Sequence, residues 1–125
     1  MVNLLNPALR VRDLRKLVEP ILHEVSWDRG VDDTSEWVIA SFEDSTHKQK
    51  LTSWLKSKNI PDAFEIIITD KAWSNLRYIN WSKLLLNLEF YLDQENVLII
   101  ASNKAWVMEY APQQIVRFGQ WVKIT

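Results

Sequence analysis

At 125 residues the chain has the length of one ordinary domain, so residues 1–125 are expected to form a single globular unit that buries about two thirds of its unfolded surface. Its 47% apolar and 25% charged residues exclude a disordered chain, and the absence of cysteine excludes disulfides, a thiol nucleophile and thiolate metal ligands. Fifteen basic against sixteen acidic residues leave a net charge of −1, nine of each sign lying in residues 1–60, so neither a basic nucleic-acid-binding arm nor an acidic tail is expected.

The opening "MVNLLNPALRVRDLRK" has no apolar core behind a basic segment, and no apolar run approaches the roughly 18 residues of a membrane span. No signal peptide or membrane anchor is expected, and a cytoplasmic protein is. Asn6-Pro7 suits a helix start, because Asn accepts from free N–H groups and Pro fits the first helical position. Leu14, Leu17, Val18, Ile21, Leu22 and Val25 follow at helical spacing, with Pro20 set to kink or divide the helix. The polar stretch "WDRGVDDTSE" separates it from a short buried strand, "WVIASF", at 37–42.

A second helix, capped by Asp44 or Ser45, carries Leu51, Trp54 and Leu55 on its apolar stripe and ends at Asn59 and Pro61. "AFEIIIT" at 63–69 reads as a strand covered on both faces. Asn80 then caps a third helix whose stripe is Trp81, Leu84, Leu85, Leu88, Tyr91 and Leu92. "VLIIA" at 97–101 and "AWVMEY" at 105–110 form an antiparallel hairpin through Ser102-Asn103-Lys104. "IVRFG" and "WVKI" add one or two short edge strands.

The expected architecture is α/β or α+β: a mixed sheet of about four to six strands, packed by three main helices and closed by the C-terminal hairpin. Strand–helix–strand order favours some parallel neighbours. Leu17, Ile21, Trp54, Leu55, Ile67, Leu85, Leu88 and Ile99 are the expected core.

One tripeptide, Lys-Ala-Trp, repeats: "DKAW" at 70–73 and "NKAW" at 103–106 stand thirty-three positions apart, each closing an isoleucine-rich strand. Beyond the Trp the copies diverge, the first into a connector and helix, the second into a hairpin arm. Asp70 and Asn103 are turn formers at strand ends, so shared turn chemistry accounts for the match.

Catalytic patterns are missing. His23 and His47 fall on different helices without paired spacing, His23 near a helix end and His47 on a solvated face. Gly30 and Gly119 are isolated, so the sequence carries no nucleotide-binding fingerprint, and no GxSxG elbow presents a serine. No cofactor or metal is expected, and the chain is not expected to be an enzyme. The basic groups Arg12, Arg15, Lys16, Lys48, Lys50, Lys56 and Lys58 read as outer faces of amphipathic helices rather than a nucleic-acid surface.

Seven tryptophans are more than ordinary usage supplies. Trp54 and Trp81 are in phase with helix stripes, and Trp106 alternates with Met108 and Tyr110 on one sheet face. Trp27, Trp37 and Trp121 flank loops or edges, where aromatics are often half exposed and serve partner contacts. The candidate binding segment is "WDRGVDDTSEW": Asp28, Asp32, Asp33 and Glu36 in one loop, bracketed by Trp27 and Trp37.

The late pattern "NWSKLLLNLEFYLDQENVLIIASNKAWVMEY…RFG", in which a helix leads into a Trp-bearing hairpin and an Arg-Phe-Gly close, resembles the immunity proteins of bacterial contact-dependent and polymorphic toxin systems. The resemblance covers roughly the last forty-five residues. It implies one-to-one binding of a cognate toxin domain, commonly a nuclease, whose basic cleft the acidic loop would complement. The other open possibility is a small enzyme or ligand-binding α/β domain with a pocket at the carboxyl edge of the sheet.

Overall fold

The architecture follows from where each strand finds its partner. The computed structural model describes residues 11–28, 37–39, 45–70, 72–73, 76–92 and 96–121. The caps expected at Asn6-Pro7 and Asp44 lie outside those residues.

Helix α1, Val11–Val18, stops where Pro20 requires it to, and a 3-10 helix, Glu19–Glu24, continues the chain with Pro in its first positions. The break changes the phase of the apolar stripe. Leu14 and Val18 are fully buried, whereas Leu17, expected in the core, is 38% exposed, and Ile21 and Leu22 are half-buried. Short strands β1, Val25–Trp27, and β2, Val38–Ile39, follow. Helix α2, Ser45–Lys56, buries Leu51 and Leu55 with Trp54 half-buried beside them, and Asn59 then takes the left-handed conformation (φ 58°) common just past helix ends.

Strand β3, Glu65–Asp70, turns directly into β4, Leu76–Asn80. The sequence reading missed β4, because "LRYIN" offers little apolar alternation. Asn80 ends it and caps α3, Trp81–Leu86, its Oδ1 accepting the Lys83 N–H at 2.9 Å as expected. The single third helix is divided: Asn87 turns its side-chain amide onto the Lys83 carbonyl and leaves helical geometry, and α4, Leu88–Leu92, follows. Strands β5, Val97–Ala101, β6, Trp106–Ala111, and β7, Ile115–Trp121, complete the sheet.

The sheet runs β1-β7-β6-β5-β3-β4, with β2 also paired to β7. It therefore has seven strands, and every pair is antiparallel, including the expected β5–β6 hairpin. The mixed sheet with parallel neighbours is corrected, and the missed strand is the reason. Because β4 and β5 both pair antiparallel to β3, they run in the same direction on either side of it. The helical crossover exists, but β3 sits between the two strands it joins. Strand β7, expected at an edge, is interior, since β1 and β2 share its outer side.

Both faces of the sheet are covered. On the first, α2, α3 and α4 pack Leu51, Leu55, Trp81, Leu84, Leu88 and Leu92 against Ile66, Ile68, Val97, Ile99, Trp106, Met108, Tyr110, Val116 and Phe118. On the second, α1 and the 3-10 helix pack Leu14 and Val18 over Val25, Ile67, Trp73, Leu98, Ile100, Val107 and Trp121. Of the expected core, Leu55, Ile67, Leu88 and Ile99 are fully buried, while Ile21, Trp54 and Leu85 pack at the margins. Among the described residues, no helix is long and apolar enough to cross a membrane.

Candidate functional site

Glu109 on β6 and Arg117 on β7 are register partners in the last hairpin, both on the second face. Glu109 is only 6% exposed, in a strand that is otherwise apolar. A buried carboxylate needs a compensating charge. Its Oε1 accepts from Arg117 Nε at 2.8 Å and lies 2.7 Å from Nη2.

Two indole rings also lie against the guanidinium. Its central carbon lies 3.8 Å from the Trp27 ring centroid and 4.6 Å from that of Trp37. Both tryptophans arrive from short strands paired to the outer side of β7, so the 28–37 connection leaves and rejoins the same strand. Such stacking strengthens with desolvation.

Gly119 makes room for it. Opposite Trp27 in register, a Cβ there would fall 2.6 Å from Val25 Cγ1, 2.8 Å from the Ser26 carbonyl oxygen and 2.9 Å from Trp27 Cε3. Only glycine lets β1 lie this close. The isolated glycine of the sequence is a packing site.

Next to the stack, a cleft of about 460 Å³ opens beneath the 3-10 helix, lined by Glu19, Leu22, His23, Val25, Trp27, Trp73, Leu98, Glu109 and Arg117. Two indoles hold its roof. Trp121 Nε1 donates to the Ile21 carbonyl at 2.9 Å, and Trp73 Nε1 donates to Glu19 Oε2 at 3.1 Å. The Arg15 guanidinium, bonded to Glu19 Oε1 at 2.8 Å, holds the Glu19 carboxyl below its ordinary pKa. The Trp73 N–H adds to this, and desolvation opposes it. Trp73 has a φ of 56°, a strained conformation for a bulky residue, of order 1–3 kcal/mol, that persists where the surroundings over-determine it.

The structure divides the residues expected in the binding loop. Trp27 and Trp37 are both brought against Arg117. Asp28 turns to the first face, where its Oδ2 lies 2.8 Å from Lys58 Nζ, and that ammonium sits 4.5 Å from the Trp54 ring and 4.8 Å from the Phe118 ring. Asp28 therefore anchors the end of β1 to α2 rather than standing as a solvated acid. Asp32, Asp33 and Glu36 lie outside the described residues. His23 is exposed at the end of the 3-10 helix, and His47, expected on a solvated face, is half-buried with Nδ1 lacking a partner. Among the described residues no group of three or more His, Cys, Asp or Glu is placed to hold a metal ion.

Sequence reasoning missed Glu109 and Arg117. A signal was present: Trp106, Met108 and Tyr110 assigned to one face put Glu109 on the other, and a hairpin turning at 112–114 sets residue 117 opposite 109. Searches against protein-family models, curated proteins and solved structures found no match to the chain.

Proposed function

We propose that the chain is a stoichiometric protein-binding domain whose contact surface is the rim built by Trp27, Arg117 and Trp37, together with the acids that lie between the two tryptophans in sequence. The observation that supports this is the stack itself. It holds an arginine against two tryptophans, the residue types that most often dominate interface energetics, and Trp37 remains 38% exposed. Rings already locked against a cation lose little conformational freedom on docking. Asp32, Asp33 and Glu36 lie in sequence between the two tryptophans and supply negative charge for a basic partner.

Together with the sequence resemblance, this favours a cytoplasmic immunity protein that binds and neutralises a cognate bacterial toxin domain, a nuclease being the chemistry a negative loop suits. A second reading, a ligand-binding domain or small enzyme, draws support from the cleft below the 3-10 helix.

The test is a pull-down from the native host, followed by association and dissociation kinetics against the captured partner at low and moderate salt. Trp37→Ala should speed dissociation by about thirtyfold, the scale of a central aromatic contact. Asp32→Lys with Asp33→Lys should slow association and flatten its salt dependence without moving the melting temperature. Unchanged rates in both variants would remove this rim from the interface. Turnover of a substrate by the isolated chain would overturn the binding function.

A further inference from the structure

We propose that β4 is a dimerisation edge, pairing antiparallel with β4 of a second copy of this chain about a two-fold axis through Tyr78. The two sheets then become one. The rim of Trp27, Arg117 and Trp37 lies at the opposite end of the strand order and stays free on each copy, so the inference does not depend on what that rim binds.

The backbone supplies the first observation. β4 ends the sheet, and among the described residues no strand pairs with its outer side. The Trp81 N–H donates to the Phe64 carbonyl at 2.8 Å, in the pair next to Asn80↔Glu65. Antiparallel pairs alternate between bonded and non-bonded, so Ile79 and Arg77 turn their backbone groups to β3. Tyr78 and Leu76 turn theirs outward, with the Asn80 N–H. A two-fold through Tyr78 bonds Tyr78 to its own copy and the Asn80 N–H to the Leu76 carbonyl of the other copy, reciprocally. Edges that stay single are often blunted by proline, lysine or a bulge, and β4 has none of these. Its one charge, Arg77, falls opposite Ile79 of the other copy and not opposite itself.

Apolar exposure is the second. Leu86, Phe90 and Tyr78 are 81%, 63% and 44% exposed, more than any other large apolar side chain described, and all three lie on β4 or on the two helices that follow it. Tyr78 stands opposite Ile67, on the second face, and Phe90 carries the Arg77 guanidinium at 5.4 Å on the first. The seam therefore has an aromatic ring to cover on each face. Exposed apolar groups gathered in this way mark contact surfaces.

Charge selects a copy over a strongly acidic or basic partner. Glu65, Arg77, Lys83 and Glu89 are exposed, and among the described residues none of them has an ion-pair partner. Their charges cancel. Glu65 and Lys83 line one hollow with Tyr78 and Asn80, at one end of β4. Arg77 lies over Phe90 toward the other end, with Glu89 beside Phe90 in the chain. The two-fold sets the first pair of one copy next to the second pair of the other, an acid and a cation from each.

The experiment is sedimentation equilibrium of the full chain from micromolar to submillimolar concentration. A monomer–dimer equilibrium is expected. Tyr78→Lys sets two ammonium groups directly opposite each other and should weaken it about tenfold, with the urea midpoint of the dilute monomer nearly unchanged. A cross-link tests the register, because the chain has no cysteine of its own. Tyr78→Cys brings two Cα atoms to about 5.5 Å, within disulfide reach, and should oxidise to a covalent dimer. Arg77→Cys, facing Ile79 of the other copy, should do so at least about tenfold more slowly. A monomer throughout the range overturns the proposal and leaves the edge to a different chain. A dimer that Tyr78→Lys does not weaken, or cross-linking of Arg77→Cys as fast as that of Tyr78→Cys, also overturns it.

Discussion

The two faces of the sheet are built on different principles. Under α2, α3 and α4 lies a sealed aromatic core: Trp106 stacks on Phe118 at 5.2 Å, meets Trp81 edge-on at 5.6 Å and lies 6.1 Å from Phe64. Under α1 and the 3-10 helix lie a buried ion pair, a cation stacked on indoles and an open cleft. A closed apolar face gains from every contact it makes. A buried ion pair must first offset the desolvation of both charges, and well-packed apolar residues often do as well or better. Apart from the Lys58–Asp28 pair at its margin, the first face is a packed apolar core, whereas the second sets a buried ion pair and an open cleft beside its apolar cluster.

The largest expected effect lies on the sealed face. Trp106→Ala removes the ring that the others pack around and should cost about 3–5 kcal/mol in urea unfolding. A loss below about 1 kcal/mol, by the same principle, would mean that the aromatic cluster is not the centre of the core.

On the other face, Glu109→Ala should cost about 2–3 kcal/mol, because it strands a guanidinium that is largely buried. Replacing both partners, with Glu109→Met and Arg117→Met, should recover most of that loss. A double variant as unstable as the single one would make the pair a true stability element and erase the contrast between the faces.

Gly119→Ala should cost about 1–3 kcal/mol through overpacking and should expose Trp27, seen as a red shift in tryptophan emission. Unchanged emission and stability would show that β1 can move away without loss.

The smallest effect is in pH. Glu19's carboxyl is held below its ordinary value of 4.5, so its contribution is complete above that pH and is lost as pH falls through the lower folded value. Glu19→Gln should therefore lower stability slightly at neutral pH and flatten the acid limb below pH 4.5, where the two proteins converge. A larger difference in acid than at neutral pH would reverse the assignment.

The repeated tripeptide shows how far local sequence reaches. Both copies do mark strand ends, and both lead into hairpins, although the first was read as leading into a connector and helix. In the first turn Trp73 itself takes the left-handed conformation, its N–H bonded to the Asp70 carbonyl. In the second Lys104 takes it, and the Asn103 side chain accepts the Ala105 N–H at 3.0 Å. The outcome is opposite: Trp73 faces the second side of the sheet and Trp106 the first. Three identical residues set a turn, and the partner strand decides where the tryptophan goes.

Local chemistry was legible wherever one residue type forces a backbone outcome. Pro20 ended α1, Asn80 capped α3, Asn59 closed α2, and the apolar runs at 65–70 and 97–101 became strands buried on both sides. Strand order was not legible, because β4 is polar enough to pass for a connector and its presence reverses the direction of everything paired to β3. The candidate site was half legible for the same reason. Trp27 and Trp37 stood out in sequence as a bracket around acids, but what they both meet is Arg117, eighty residues further along the chain from Trp37. Propensity, capping and periodicity act over a few residues and are written in the chain. The Glu109–Arg117 pair, the indoles against it and the cleft beside it depend on which strand lies next to which, and only the folded sheet decides that.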